Sequence, residues 1–223
     1  MVRPHLTSVK GFRLRTPAPM YIPAPFRIED PALLLPLIER YSFATLVTVE
    51  EGSPFATHLP LLLRRGPDRL VGHMARANPQ WRGLTHQREV LALFQGPHAY
   101  ISPSWYASSP NVPTWNYAAV HAYGEARLLE DPAELLTLLQ DTTHKYESGL
   151  EKPWQLEAAG DSVQRLMGGI VAFELRLTRL EGKFKLSQNK REPDHSGVVA
   201  ALEASGDPLE CELARMMRTH GHS

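Results

Sequence analysis

"FATLVTVEEGSPFATHLPLLLRR", residues 43–65, is the stretch of sequence that decides the fold. Its two halves, "FATLVTV" (43–49) and "PFATHLPLLLRR" (54–65), are rich in residues that favour strands, and the "EEGS" between them is typical of a turn. A second turn, "GPD" (66–68), leads into a third candidate strand, "RLVGHMA" (69–75). The stretch therefore predicts a β-hairpin that continues into further antiparallel strands.

Three longer strands are predicted beyond this hairpin. They are "EVLALFQGPHAYISPSWY" (89–106), bent at Gly96-Pro97, then "NYAAVHAYGEARLLE" (116–130), and finally "IVAFELRLTRLEGKFKL" (170–186), which we expect to close the sheet. Short strands that follow one another with hairpin turns between several of them are typical of an antiparallel barrel or sandwich.

Helices flank these strands in the prediction. Asp30 is a suitable N-cap for a helix that begins at Pro31, and "DPAELLTLLQDTTHKYE" (131–147) has the same Asp-Pro start followed by a stripe of leucines. Further short helices are predicted within 78–84, 155–169 and 187–206. The expected fold class is mainly β (α+β).

No change of composition is strong enough to divide the folded part of the chain. Residues 1–19 are basic and lack a hydrophobic period, so we expect a flexible N-terminal extension before Met20. We expect one domain over 20–205 and a C-terminal tail over 206–223.

Composition excludes several classes of protein. The formal net charge is zero, so there is no overall field to attract nucleic acid or an acidic membrane. Cys211 is the only cysteine, which rules out an intramolecular disulfide and fits a reducing cytoplasm. No apolar run approaches the roughly 18 residues of a membrane helix. The sequence contains no HExxH, GxSxG or P-loop motif, and we expect neither a catalytic residue nor a metal site.

Polar side chains cluster around the second and third strands. Thr57 and His58 lie on one strand, and the segment His73–Asn78 ends the next. If these strands are neighbours, the side chains together suit a phosphate, with Arg76 as the bidentate contact. The alternative is a solvated rim with satisfied histidines.

Two further clusters lie at strand ends. In "PTWNYAAV" (113–120) a tryptophan and a tyrosine flank Asn116, which suits a flat aromatic ligand or, alternatively, a hydrophobic anchor at a barrel end. "EGKFKLSQNKRE" (181–192) is the one compact basic cluster of the folded part. It suits a phosphate site, a nucleic-acid contact or a solvated loop.

Several longer strings resemble one known family. They are "MYIPAPF", "THLPLLL", "GHMARANPQW", "GPHAYISPSWY", "VPTWNYAAVHAYG" and "EGKFKLSQNK". From Met20 to about Leu202 the chain resembles the PaiB family of FMN-binding negative transcriptional regulators. The resemblance implies an antiparallel split β-barrel similar to that of pyridoxamine-phosphate oxidases. It also implies a homodimer with the flavin at the subunit interface.

The same resemblance implies a set of FMN-binding residues. From one subunit these are Thr57, His58, Leu59, His73, Ala75, Arg76, Asn78 and Gln80, with Leu59 and Ala75 contributing backbone groups; from the partner they are Trp115, Asn116 and Tyr117; and after the last strand they are Lys185, Ser187 and Gln188. Split-barrel oxidases have an Arg-Lys pair where this chain has Pro79-Gln80, so the phosphate charge must come from Arg76 or Lys185.

The expected function is that of a cytoplasmic, homodimeric FMN-binding protein that acts as a negative transcriptional regulator, directly or indirectly. We expect a regulator rather than an enzyme, and only weak support for DNA contact, since no helix-turn-helix pattern is present. Two alternatives remain open at this point. One is an FMN-dependent oxidoreductase on a small substrate, and the other is a haem-binding split barrel.

Overall fold

The computed structural model describes residues 19–66, 68–87 and 89–221 of the chain. Its strands are β1 (Arg27–Ile28), β2 (Phe43–Glu50), β3 (Ser53–Pro60), β4 (Leu62–Arg64), β5 (Arg69–Ala75), β6 (Val90–Ile101), β7 (Thr114–Leu129) and β8 (Ile170–Lys185). Its α-helices are α1 (Pro31–Arg40), α2 (Gln80–Leu84), α3 (Pro132–Glu147), α4 (Ser162–Gly168), α5 (Glu192–Ala204) and α6 (Pro208–His220). Short 3₁₀ turns lie at Ala24–Phe26, Pro103–Trp105 and Leu156–Ala159.

All eight strands belong to one antiparallel sheet, in the order β3-β2-β6-β7-β8-β5-β4, with β1 paired to β8. The two ends of this order, β3 and β4, are consecutive in the chain, separated by Leu61 alone. The sheet must therefore curl until its ends meet, which makes a barrel. Gly72 marks the close approach, because a Cβ atom there would lie 3.0 Å from the carbonyl oxygen of Pro60. The expected antiparallel α+β split barrel is confirmed.

Strand alternation separates an inner from an outer face of the barrel. The inner face holds the largest fully buried side chains, among them Phe94, Phe173 and Phe184. The helices α1, α5 and α6 contribute to the same core. On the outer face, α3 covers β4, β5 and the start of β8 through Leu138, which packs in a smaller cluster with Val71.

The strand predictions agree closely with the structure. The third strand, 69–75, has the predicted bounds, and the predicted bend at Gly96-Pro97 is a shift of register between Gln95 and His98. The predicted second strand, 54–65, is instead two strands, β3 and β4, divided at Leu61. The division has a physical cause: here the chain crosses from one end of the sheet to the other, and Leu61 N–H bonds to the carbonyl of Ser42 at 2.8 Å.

An aspartate followed by a proline begins three of the helices. The carboxylates of Asp30, Asp131 and Asp207 each accept a hydrogen bond from a backbone N–H of the first turn. The third case corrects the prediction of a tail over 206–223: α6 is a capped helix, and its Leu213 and Met217 are fully buried in the core.

The predicted N-terminal extension, 1–19, lies outside the described residues except for its last position. Within the described ranges, none of the helices is long and apolar enough to cross a membrane.

Candidate functional site

The end of β3 and the loop after β5 meet at a polar corner. Asn78 Nδ2 donates a hydrogen bond to Thr57 Oγ1 at 2.9 Å, and Asn78 Oδ1 accepts from the backbone N–H of Gln80 at 3.0 Å. The structure therefore brings together Thr57 and Asn78, which the sequence placed in one cluster. Because β3 is paired only with β2, its other edge faces this corner.

Gln80 lies beneath the corner and is fully buried. Its Nε2 atom contacts three acceptors, which are the carbonyl of Leu46 at 3.1 Å, Thr48 Oγ1 at 3.1 Å and the carbonyl of Phe55 at 3.2 Å. The side chain thus ties α2 to the β2–β3 hairpin. It points into the protein interior rather than towards a ligand at the surface.

His58 and Leu59 are neighbours on β3 and therefore face opposite sides of the sheet. The His58 side chain is exposed on the outer face, where its Nδ1 atom lies 2.9 Å from Thr45 Oγ1 and its ring stacks on Phe43 at 6.4 Å. Leu59 is 4% exposed and belongs to the core. Only its backbone is available to a ligand, which is the role the resemblance implies for it.

Arg76 follows the exposed Ala75 and turns towards β8. Its Nε and Nη2 atoms donate to the carbonyls of Gly168 and Ile170, both at 2.8 Å. In the part of the chain that the structure describes, Arg76 makes no hydrogen bond to Thr57 or Asn78. The Arg76 side chain thus bonds to the segment before β8 and not to the other members of its predicted cluster.

A groove of about 380 Å³ lies on the outer face of β6 and β7. It is lined by Leu93, Gln95, His98, Trp115, Tyr117, Ala119 and His121, and it also touches Phe94, whose side chain is buried in the core. Trp115 is 54% exposed, and its ring lies 6.3 Å from His98 and 6.2 Å from Tyr100. Aromatic and imidazole rings on one open surface suit a flat, partly polar ligand.

Asn116 lies between two groove residues in sequence but points to the opposite face. It is 1% exposed, and its Nδ2 atom donates to Ser187 Oγ at 2.8 Å. Ser187 has a positive φ of 64°, so this bond holds a left-handed turn directly after β8. Gln188 braces the same turn, since it donates to the carbonyl of Phe184 at 2.6 Å and accepts from the N–H of Leu186 at 2.7 Å. These predicted site residues stabilise the fold around the groove.

Three lysines surround the groove end near this turn. Lys185 Nζ lies 2.6 Å from both the carbonyl of Trp115 and Thr114 Oγ1. Lys183 Nζ donates to the carbonyl of Tyr21 at 3.1 Å, and Lys190 lies close enough to act on Lys185. Burial lowers the pKa of Lys185, and the charges of the two other lysines lower it further. Among the described residues no carboxylate pairs with any of the three, so an anion here would relieve their repulsion.

The predicted site did not include three residues of this surface, namely Gln95, His98 and His121, whereas Lys183 belonged to the predicted basic cluster. A usable signal was present in the alternation of β7, because residues 115, 117, 119 and 121 share one face. The partners of these residues on β6 and β8 follow from the register, which required the structure.

The lowered pKa values of two histidines predict that the protein is less stable in acid. Burial is the main cause that lowers the pKa of both His73 and His121 below the ordinary value of 6.5. Below that pH the unfolded state binds protons that the folded state does not, so the free energy of unfolding falls as pH falls. Urea unfolding at about pH 7.5 and about pH 5.5 should show this fall, and His73→Gln should reduce it. The control is His144→Gln, at an exposed position of α3, which should show the same fall as the wild type. If His73→Gln also shows the full fall in the free energy of unfolding, His73 does not cause it.

The barrel has the fold of solved flavin-binding split-barrel proteins. A solved FAD- and haem-binding protein of Mycobacterium smegmatis is similar over 81% of this chain and 80% of its own, with a TM-score of 0.56 and 19% identity. The flavocytochrome Anf3 of Azotobacter vinelandii is similar over 71% and 69%, with a TM-score of 0.55 and 17% identity. At such identities these likenesses concern the fold.

The family follows from sequence comparison. A family model described as "Putative FMN-binding domain" matches residues 20–179, and the chain belongs to this FMN-binding family. It is 41% identical over 204 residues to "Protease synthase and sporulation protein PAI 2" of Bacillus subtilis, covering 89% of this chain and 96% of that protein. It is also 37% identical over 183 residues to an uncharacterised protein of Emericella nidulans, covering 68% and 73%. The resemblance to the PaiB family and the expected cofactor, FMN, are confirmed.

Proposed function

We propose that this protein acts as a homodimeric, FMN-binding negative regulator of gene expression. The observation that carries the proposal is the outer-face groove, which lies beside Lys183, Lys185 and Lys190; within the described ranges these lysines form no ion pair with a carboxylate. The similarity to PAI 2, whose name refers to protease synthesis and sporulation, supports the regulatory part.

The groove and its surroundings fit FMN. Its volume of about 380 Å³ lies within the range of small-molecule sites. Trp115 and Tyr117 offer flat surfaces to the ring system, while Gln95, His98 and His121 offer polar atoms to its edge. Bound FMN would supply reversible electron transfer, and these residues would bind and orient it.

The phosphate charge is better matched by Lys185 than by Arg76. Arg76 does not line the groove, and its side chain bonds to the carbonyls of Gly168 and Ile170 instead. Lys185 adjoins the groove through the carbonyl of Trp115, and its pKa is lowered in a way that a bound anion would reverse. We therefore assign the phosphate to Lys185, with Lys183 beside it.

The arrangement favours a site built from two copies of the chain. Through the register, Thr57 pairs with Leu46, Leu46 with Ala92 and Ala92 with Ala122. Three strand spacings, about 14 Å, thus separate the Thr57 corner from β7. Thr57 also lies on the inner side of its strand, whereas Tyr117 lies on the outer side. The corner and the groove of one chain therefore suit two different flavins, each completed by the partner.

The exposed part of the outer face supports dimerisation as well. Phe43 is 70% exposed and Tyr100 is 46% exposed, on the same side of the sheet as Trp115. No helix of the described ranges packs over this side in the way that α3 packs over β5. Large apolar side chains gathered on one surface are typical of a protein interface.

Regulation through direct DNA contact has less support than indirect regulation. The net charge is zero, so the protein has no overall field that would attract nucleic acid. We assign the regulatory effect to the flavin-bound dimer acting through other components. Complementation of a gene deletion with a variant that has lost FMN, such as Lys185→Gln, tests this: restored repression would separate regulation from the cofactor.

FMN titration with fluorescence quenching tests the cofactor site. We expect saturation at about one FMN per chain, together with a dimer in sedimentation. Lys185→Gln should weaken binding by at least about tenfold, the effect of losing one charged hydrogen bond, and the loss should be smaller at high salt. Lys152→Gln, at an exposed position, is the control, and Arg76→Gln should bind normally.

Other outcomes would overturn parts of this assignment. A larger loss in Arg76→Gln than in Lys185→Gln would move the phosphate to Arg76. Rapid reduction of the bound FMN by a nicotinamide donor would favour the oxidoreductase alternative. A Soret band on haem addition, lost on replacing His98 or His121, would favour the haem alternative.

A further inference from the structure

A second pocket lies on the far side of β5 from the Thr57 corner, where α3 and α4 meet the end of β7 and the start of β8. Its volume is about 550 Å³. Its walls include the apolar side chains of Leu129, Leu135 and Met167. A pocket of this size with apolar walls and a few polar groups has the character of a small-molecule site. The groove residues do not line it, so it is distinct from the FMN site proposed above.

Arg76 contributes a fixed positive charge to this pocket. The Nε and Nη2 bonds to Gly168 and Ile170 engage one edge of the guanidinium plane. A guanidinium has five N–H groups, and three of them, on Nη1 and Nη2, are not used by these bonds; one from each atom forms the free edge of the plane. No carboxylate in the described ranges forms an ion pair with Arg76. Since the side chain is already ordered, a ligand binding to the free edge pays little of the entropy of fixing it.

The Trp81 ring forms an apolar surface beside this charge. Its Nε1–H donates to the backbone carbonyl of Arg76 at 3.0 Å, so the one polar group of the indole is already satisfied. Met167, 7% exposed, adds a flexible apolar side chain from α4. The pocket therefore combines a cation with free donors and walls that favour hydrocarbon.

Glu130 lines the same pocket and narrows the class of ligand further. It is exposed, so its repulsion of one bound carboxylate is weakened by solvent and salt. A second carboxylate on the ligand would add to this repulsion, and the residues that line the pocket include no cation besides Arg76. Arg82 lies over the Trp81 ring, 5.3 Å from its centroid, but does not line the pocket. The charges thus favour a monocarboxylate over a dicarboxylate.

We infer that this pocket, which we call the Arg76 pocket, binds an apolar monocarboxylic acid of alkyl or arylalkyl type. The carboxylate accepts two hydrogen bonds from the free edge of the Arg76 guanidinium, a geometry typical of arginine–carboxylate pairs. The hydrocarbon part packs against Trp81, Leu135 and Met167.

Calorimetric titration of the full chain saturated with FMN tests the inference. The probes are octanoate and 3-phenylpropanoate, with octanamide as a neutral match and octanedioate as a dicarboxylate. We expect saturable binding of one monocarboxylate per chain, with octanamide and octanedioate each at least about tenfold weaker. The preference between the two acids shows whether the natural ligand class is alkyl or arylalkyl. Equal binding of octanoate and octanamide, or no saturable binding of either acid, would overturn the inference.

Substitutions test whether the acid binds in the Arg76 pocket. Arg76→Gln should weaken octanoate binding by at least about tenfold. Arg165→Gln, the same change at an exposed arginine of α4 outside the pocket, should not. Gln164→Trp, at an exposed lining position, should block the pocket without disturbing the core. FMN affinity should be unchanged in all three, whereas a parallel loss of FMN in Arg76→Gln would assign Arg76 to the cofactor and reject a separate acid site.

Discussion

Replacing Gln80 by methionine is expected to lower the free energy of unfolding by about 2–4 kcal/mol. Methionine nearly conserves the volume of the side chain but removes its amide. The substitution would leave the carbonyls of Leu46 and Phe55 and the hydroxyl of Thr48 without this donor in a fully buried place. Each buried group that loses its partner costs about 1–3 kcal/mol. Because the amide has two N–H groups for the three acceptors, we expect the total to be less than three such costs.

Urea unfolding followed by circular dichroism measures this loss. Gln164→Met is the matched control, because Gln164 is exposed and should change stability little. The sequence also predicted Gln80 as an FMN ligand. In the structure its amide is buried and bonds to acceptors on β2 and β3, so we expect its main effect to be on stability. At temperatures where the variant remains folded, its FMN affinity should therefore equal that of the wild type. Normal stability with weakened FMN binding would restore the ligand assignment.

Replacing Trp115 by alanine is expected to weaken FMN binding roughly 30-fold or more, and to weaken the dimer at the same time. Large aromatic side chains at the centre of an interface typically contribute about 2–4 kcal/mol each. Trp115 is half-exposed in the single chain and sits between His98 and Tyr100 beside the groove. If the flavin lies between two copies, the flavin covers one side of the Trp115 ring and the partner chain covers the other side.

FMN titration and sedimentation velocity on the same samples test this double effect. Trp154→Ala is the control, since Trp154 is also exposed, at 46%, but does not line the groove. Loss of FMN from an intact dimer would restrict Trp115 to the ligand. An intact dimer with normal FMN affinity would reject the proposed location of the site.

Much of the fold could be predicted from local sequence because local signals and tertiary structure agree. β5 has the predicted bounds since the turns on each side contain glycine, proline or asparagine. The local signal for the division of 54–65 at Leu61 is Pro60, which has no N–H to donate to a strand pairing and is the last residue of β3. The direction the chain takes after it has no local signal. It is imposed by barrel closure, which depends on a pairing between β5 and the distant β8.

α6 was missed although its start was readable. Asp207-Pro208 repeats the N-terminal signal that correctly located the helices after Asp30 and Asp131. The polar surface of this helix resembled a solvated tail, while the residues it buries are spaced three or four apart, as in Leu213 and Met217.

The candidate site was predictable by region more than by residue. Trp115, Asn116 and Tyr117 were treated as one unit, but successive residues of a strand face opposite sides. Trp115 and Tyr117 therefore line the groove while Asn116 points into the barrel. Polar character also did not imply access to a ligand: Gln188 uses its amide to close a turn.

The place of β8 in the sheet has a consequence for the order in which the chain folds. β8 pairs with β1, β5 and β7, yet it is made last, about a hundred residues after β5. During synthesis β5 and β7 each keep one unpaired edge until β8 is made. The barrel cannot close until residue 185 has left the ribosome. Pairings so distant in sequence slow folding, and open strand edges invite aggregation. A chain interrupted before β8 is thus expected to be a substrate for chaperones and proteases rather than a partly active protein.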